Sequence, residues 1–278
     1  MTSTESLWTA IETGSLQDEA VLLRRLIPAT GLDLPGCGHS AKPRHPYRLA
    51  DMVGAVRGLL DELRIEKALI FGHSYGGRVA TELALESPER VAGLMLMSSA
   101  GFVRYNRILH LLGPALLHEK LVTTLSLSVN RAVLRLLFGN RKEGLQHRER
   151  FLSQVLDRYD PRFGVEFARY TVPMLSELMS ELHERLPSLK TPVQVLWGEA
   201  DHLISLDDAR EGIAQLPNAQ LEVLPGCGHM ANLEQPEAVT ATALRFQGFV
   251  FNWPGEKQRA PALEAGRCTA ASRGARCR

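Results

Sequence analysis

Three side chains of the types that nucleophilic acyl transfer needs lie far apart in the chain: Ser74, Asp201 and His229. The strongest signal surrounds the first. Gly72-His73-Ser74-Tyr75-Gly76-Gly77 follows a short apolar run and precedes a helical pattern, so it matches G-x-S-x-G in the context of a strand-to-helix turn. Such a turn strains the serine backbone, lifts its hydroxyl clear of the sheet and sets it at a helix N-terminus. Side chains at the flanking positions would collide there, which assigns the need for glycine to Gly72 and Gly76. The Tyr75 N–H and the helix dipole would favour negative charge developing beside Ser74, making Tyr75 the candidate oxyanion donor. The plain alternative is a glycine-rich turn with an incidental serine, and the strand and helix context argues against it.

A serine hydroxyl is a weak nucleophile near neutral pH and needs a neighbouring base. His229 would take its proton and return it to the leaving group. Asp201 would hold the imidazole tautomer and stabilise the imidazolium. Glu199, Asp207 and Asp208 lie close in sequence and compete for that role; Asp207 or Asp208 could instead simply cap the next helix.

The elements that must position these groups alternate along the chain. Leu49 to Leu63 reads as a helix with Leu49, Met52, Val53, Val56, Leu59, Leu60 and Leu63 on one face. Ala68 to Phe71, Val91 to Met97, Val193 to Trp197 and Leu221 to Leu224 are apolar runs of strand length. Arg78 to Leu85 is helical and stops near Pro88, and Ala238 to Gln247 is a terminal helix after Pro236. Strands separated by helices imply an α/β fold with a parallel sheet and right-handed crossovers. Residues 102–188 break the rhythm with helical patterning punctuated by Pro114, Gly139-Asn140, Asp160-Pro161 and Pro187. The expected organisation is a core of residues 1–101 and 189–252, a helical cap at 102–188, and a disordered, polar tail at 253–278.

Composition narrows the function classes. A net charge of +1 argues against a nucleic-acid or anionic-lipid footprint. Cys37, Cys227, Cys268 and Cys277 form no CxxC pair or zinc-like spacing, and nothing calls for a metal or organic cofactor. No signal-peptide pattern opens the chain and no stretch is apolar enough to span a bilayer, so a cytoplasmic setting is expected. PGCGH occurs at 35–39 and 225–229 with different flanks, which reads as chance rather than a repeat.

Taken together, these motifs resemble the α/β-hydrolase family over about residues 32 to 250. Asp33-Leu34-Pro35-Gly36-Cys37-Gly38-His39-Ser40 is similar to its D-x-P-G-x-G-x-S loop. Trp197-Gly198-Glu199-Ala200-Asp201 is similar to its W-G-x-x-D, and Pro225-Gly226-Cys227-Gly228-His229 to its G-x-G-H. The order Ser, Asp, His is the family's order. The resemblance implies that the run at Ala68 is a buried parallel strand and that residues 102–188 cap the site. It also implies an acyl-enzyme route for a small, apolar acyl substrate, an ester, thioester or lactone. Dehalogenases and epoxide hydrolases of this fold use aspartate at the nucleophile position. C–C bond hydrolases and cofactor-free haloperoxidases share the serine set and remain alternatives. His73, Tyr105 and Phe167 are candidates to line the substrate pocket.

One expected part is missing. The family places an H-G loop, whose backbone N–H completes the oxyanion hole, ahead of the D-x-P-G loop. His39, His45 and His73 are the only histidines before Ser74, and none precedes a glycine. Residues 6 to 26 could be the helix after that loop, or Ala20 to Leu23 a short strand. The N-terminal part of the sheet is therefore expected to be incomplete, beside the strand feeding Ser74, and an impaired homologue is a further alternative.

Overall fold

A computed structural model of the chain describes residues 31–36, 40–41, 48–103, 137–139, 149 and 182–251. Four parallel strands lie side by side in chain order: β1 (Ala68–His73), β2 (Val91–Met97), β3 (Val193–Gly198) and β4 (Ala219–Leu224). The three pairings between them carry His73 opposite Met97, Met97 opposite Leu196, and Gly198 opposite Leu224. The C-terminal ends of the strands are thereby aligned, and the loops leaving them form one edge, where ligands of open α/β sheets bind.

Period-two alternation explains why the sheet needs helices on both faces. Leu94 and Leu96 of β2, with Val193, Val195 and Trp197 of β3, join a core shared with α1 (Leu49–Glu62), α2 (Tyr75–Glu86) and α3 (Leu206–Ile213). Met95, Met97 and Leu196 face the opposite way. They pack with Ala231 of α4 (Ala231–Glu234) and with Val239, Ala243, Phe246 and Val250 of α5 (Pro236–Phe251). Phe102, Leu182, Leu186 and Leu189 lie in the first core, so the chain on both sides of the long insertion is anchored in the sheet's packing.

The strands and helices sit where the apolar periodicity places them, with several corrections. β4 begins two residues earlier than its apolar run, because Ala219 and Gln220 continue the pairing with β3. α5 extends to Phe251. Leu63 closes α1 as its C-cap and is exposed rather than on the packed face. β1 was expected to be buried. It is parallel to β2, but only Gly72 of its six residues is fully buried, and Phe71 is 37% exposed. Among the described strands it is paired on one side only, whereas every residue of β2 and β3 is buried. Asp207 and Asp208 do not cap α3. Ser205 holds the N-cap position, and the two acids stand in the first turn, where they complement the helix dipole. The expected N-terminal helix or strand, Cys37, most of the cap stretch, and the tail at 253–278 lie outside the described residues. Among the described residues no helix is long and apolar enough to cross a membrane, and no cluster of His, Cys, Asp and Glu could hold a metal ion.

Candidate active site

The turn between β1 and α2 is strained at its serine. Ser74 has φ 52° and ψ −118°, a conformation that costs an L-residue about 1–3 kcal/mol. The turn is held by its surroundings. The Ser74 N–H donates to the Met97 carbonyl at 3.0 Å, and the Ser74 carbonyl accepts from Gly77 and Ala100, each at 3.0 Å. Glycine is required on both sides, at Gly72 as the spacing suggests and at Gly77 in place of Gly76. A Cβ on Gly72 would lie 2.6 Å from the Gly76 carbonyl oxygen, and one on Gly77 would lie 2.3 Å from Ser99 Oγ. A Cβ on Gly76 would meet nothing. The close approaches are strand to helix and helix to the β2 exit loop, so Gly72 and Gly77 carry the constraint and Gly76 does not. Tyr75 opens α2, so its N–H lies at the helix end where the dipole favours negative charge.

The loop leaving β3 delivers the carboxylate. Trp197 is fully buried, and its Nε1–H donates to the Ile204 carbonyl at 3.0 Å, pinning residues 198–204 as a tight excursion. Asp201 is buried there. Its Oδ1 accepts from the Leu203 and Ile204 N–H groups at 3.0 and 2.9 Å, and its Oδ2 meets His229 Nδ1 at 2.8 Å. The competitors lie elsewhere. Glu199 accepts from the Gly226 N–H, Asp207 pairs with Arg210 in solvent, and Asp208 is exposed in the first turn of α3. With Nδ1–H donating to Asp201, the second ring nitrogen of His229 is the acceptor.

The loop leaving β4 carries His229 and lies against the β3 loop. The Ala200 N–H donates to the Cys227 carbonyl at 2.8 Å, and a Cβ on Gly198 would strike the Gly228 carbonyl oxygen at 2.2 Å. The D-x-P-G-x-G-x-S loop is closed by its own last residue, since the Ser40 hydroxyl donates to the Asp33 carbonyl at 2.6 Å.

These are the parts of one fold family. The family model described as alpha/beta hydrolase fold matches residues 29–236. The chain belongs to that family. A hydrolase of Bacillus subtilis, YugF, is 27% identical over 222 residues, covering 79% of this chain and 80% of its own length. The 2-hydroxy-6-oxo-6-phenylhexa-2,4-dienoate hydrolase of Burkholderia cepacia is 31% identical over 199 residues, 69% of this chain and 66% of that protein. Among solved structures, a thermophilic esterase from Thermogutta terrifontis superposes with a TM-score of 0.66 at 23% identity, covering 78% of each chain.

Within this α/β-hydrolase frame, two groups around His229 escaped the motif reading. His73 was expected to shape the pocket. Its ring lies 4.8 Å from that of His229, and its Nε2–H donates to the His229 carbonyl at 2.8 Å. Burial, and then the neighbouring His229, push its pKa down to about 4, while the bond to the His229 carbonyl and Asp201 pull the other way. His73 is thus a neutral donor near pH 7, committed to the backbone of the candidate base. Glu234 was not singled out at all. It is buried in α4, and its two oxygens accept from the Gly228 and Gly139 N–H groups, each at 2.9 Å. The one available signal was an acid five residues after His229, a position whose meaning exists only in the folded loop. Tyr105 and Phe167 lie outside the described residues.

Proposed function

We propose that the protein is a serine-dependent hydrolase that cleaves a carboxylic ester or similar small, apolar acyl substrate through an acyl-enzyme. The observation that carries this reading is the buried Asp201–His229 pair at 2.8 Å, with the His229 carbonyl bonded to His73, the residue before a serine in a strained turn at a helix N-terminus. Ser74 Oγ attacks the acyl carbon as its proton passes to the free ring nitrogen of His229. The carbonyl π pair moves onto oxygen, for which the Tyr75 N–H is the candidate donor. The C–O bond to the leaving group then breaks, and the imidazolium returns the proton to the departing alkoxide. Water repeats the sequence on the acyl-enzyme, with His229 again taking and returning one proton, and frees the acid. Asp201 stays ionised and stabilises each imidazolium.

The likeness to the Burkholderia cepacia dienoate hydrolase favours a second reading, in which the same residues break a C–C bond next to a carbonyl. The missing H-G pair favours a third, an impaired homologue. Losing one oxyanion donor costs about two to three orders of magnitude in turnover.

A fluorophosphonate probe tests the first reading directly. Stoichiometric labelling at Ser74, with turnover of aryl esters abolished by Ser74→Ala, is expected. A folded protein that the probe leaves untouched would defeat it. Turnover of a vinylogous diketone but not of aryl esters would favour C–C cleavage. Esterase rates equal to those of Ser74→Ala would favour the impaired homologue.

A further inference from the structure

His229 sits on a short loop, and a catalytic base is only as good as its placement: a shift of about 1 Å can cost a hundredfold in rate. Asp201 fixes one ring nitrogen and His73 fixes the His229 carbonyl. The residue before His229 is held by a third group from a different direction. Glu234 Oε1 accepts from the Gly228 N–H at 2.9 Å. Its other oxygen accepts from the Gly139 N–H, also at 2.9 Å, and Gly139 lies 95 positions before Glu234, in the stretch inserted between β2 and β3.

The contact between these segments is close on both sides. A Cβ on Gly139 would lie 2.3 Å from the Gly226 carbonyl oxygen, and one on Gly228 would lie 2.3 Å from the Gly139 nitrogen. The Met230 N–H donates to the Leu137 carbonyl at 3.1 Å, and Phe138, Met230 and Leu233 form their own small apolar cluster. Residues 137–139 are therefore seated on the loop that carries His229, with backbone against backbone and one buried carboxylate bonded to both.

We infer that Glu234 is a positioning residue that makes the placement of His229 depend on the seating of residues 137–139. The role rests on the serine-hydrolase reading above. A carboxylate suits it because its two acceptor oxygens, held on one rigid plane, can each take an N–H from a different segment. The geometry ties the seating of residues 137–139 to the placement of the candidate base. Burial raises the Glu234 pKa, and the two N–H groups lower it. Among the described residues, Asp201 opposes its ionisation and His229 favours it.

The test compares the wild-type chain with Glu234→Gln and Glu234→Asp. Glutamine keeps one acceptor and turns an NH2 toward the other N–H. Aspartate keeps the charge but is one methylene too short to span both amides. The first readout is amide hydrogen exchange at Gly139 and Gly228, which needs no substrate. Both amides should exchange about tenfold faster or more in each variant, with the β2 amides unchanged. The second readout is fluorophosphonate labelling at Ser74, resolved into its saturating rate and its half-saturating probe concentration. The saturating rate should fall about tenfold or more in both variants, with the half-saturating concentration unchanged. Wild-type exchange at the two amides overturns the proposal, as does a wild-type saturating rate in folded Glu234→Gln. If Glu234→Gln does not fold, Glu234→Asp carries both readouts. A wild-type protein unlabelled at Ser74 sinks the hydrolase reading and this role with it, and the exchange result distinguishes that outcome from a failure of the clamp.

Discussion

The turn that carries Ser74 and the loop that carries His229 are built in opposite ways. The first is local. One strand, one tight turn and one helix, within residues 68–86, set the serine, and the strain at Ser74 is held by bonds to Met97, Gly77 and Ala100. The second is assembled from distant pieces. Asp201, His73, Glu234 and Gly139 come from four separate parts of the chain, and each contributes a hydrogen bond to His229 or to its neighbour Gly228 or to the group that holds them. The local device is damaged by changes within it or at the β2 exit, Met97 to Ala100, that packs on it. An assembled device fails when any of its remote supports goes, and the cost should scale with how directly that support touches the imidazole.

The most direct support is Asp201. Asp201→Asn keeps an acceptor for the Leu203 and Ile204 N–H groups but turns an NH2 toward His229 Nδ1, which favours the wrong tautomer. Turnover should fall about 10⁴-fold with the fold retained. Steady-state kinetics with circular dichroism checks this, and near-normal turnover would show that His229 does not depend on Asp201.

For the local turn the largest effect should be on folding. Gly72→Ala places a methyl 2.6 Å from backbone atoms of Gly76 and Gly77 that cannot move without opening the turn. A loss of about 3 kcal/mol in denaturant unfolding is expected. A loss below about 1 kcal/mol would mean that strand and helix can separate there at little cost.

The contrast also explains what the sequence made legible. Ser74, Asp201 and His229 were readable because each sits in a short motif at the end of a strand. The parallel order of the four strands followed from apolar runs separated by helices. Gly76 misled because a motif preserves a pattern and not the reason for each of its positions; the steric need falls on Gly72 and Gly77. Glu234 was invisible because its partners are two backbone N–H groups, which have no signature in side-chain types. His73 was read as a pocket residue because adjacency to the nucleophile says nothing about which way a ring turns. The half-exposed β1 departs from its apolar sequence because, among the described strands, nothing pairs along its outer side.

A smaller effect should separate His73 from the residues it supports. Its folded pKa of about 4 lies below the ordinary 6.5, so between those values the unfolded chain binds the extra proton. Stability from the neutral ring is full above pH 6.5 and is lost as pH falls toward 4. His73→Gln keeps an N–H donor for the His229 carbonyl and removes the titration. Its stability should drop less than that of the wild type between pH 7.5 and pH 5, by on the order of 1 kcal/mol. Urea unfolding at the two pH values measures this, and parallel losses in both proteins would argue that the ring is not held neutral by the fold.

The smallest expected effect bears most closely on the local turn, because it tests the part of the motif that packing does not require. A methyl on Gly76 would enter open space in the first turn of α2, where backbone dihedrals are ordinary. Alanine is a better helix former than glycine by up to about 1 kcal/mol, and it loses less chain entropy on folding. Gly76→Ala should therefore leave stability unchanged or raise it by about 0.5 kcal/mol, the opposite sign to Gly72→Ala four residues earlier. Activity then reports what the position is for. If esterase turnover falls in a Gly76→Ala protein that is at least as stable as the wild type, the open space beside Gly76 is space that substrate uses. If turnover is unchanged, the glycine is dispensable, and the turn's constraint lies wholly in Gly72 and Gly77.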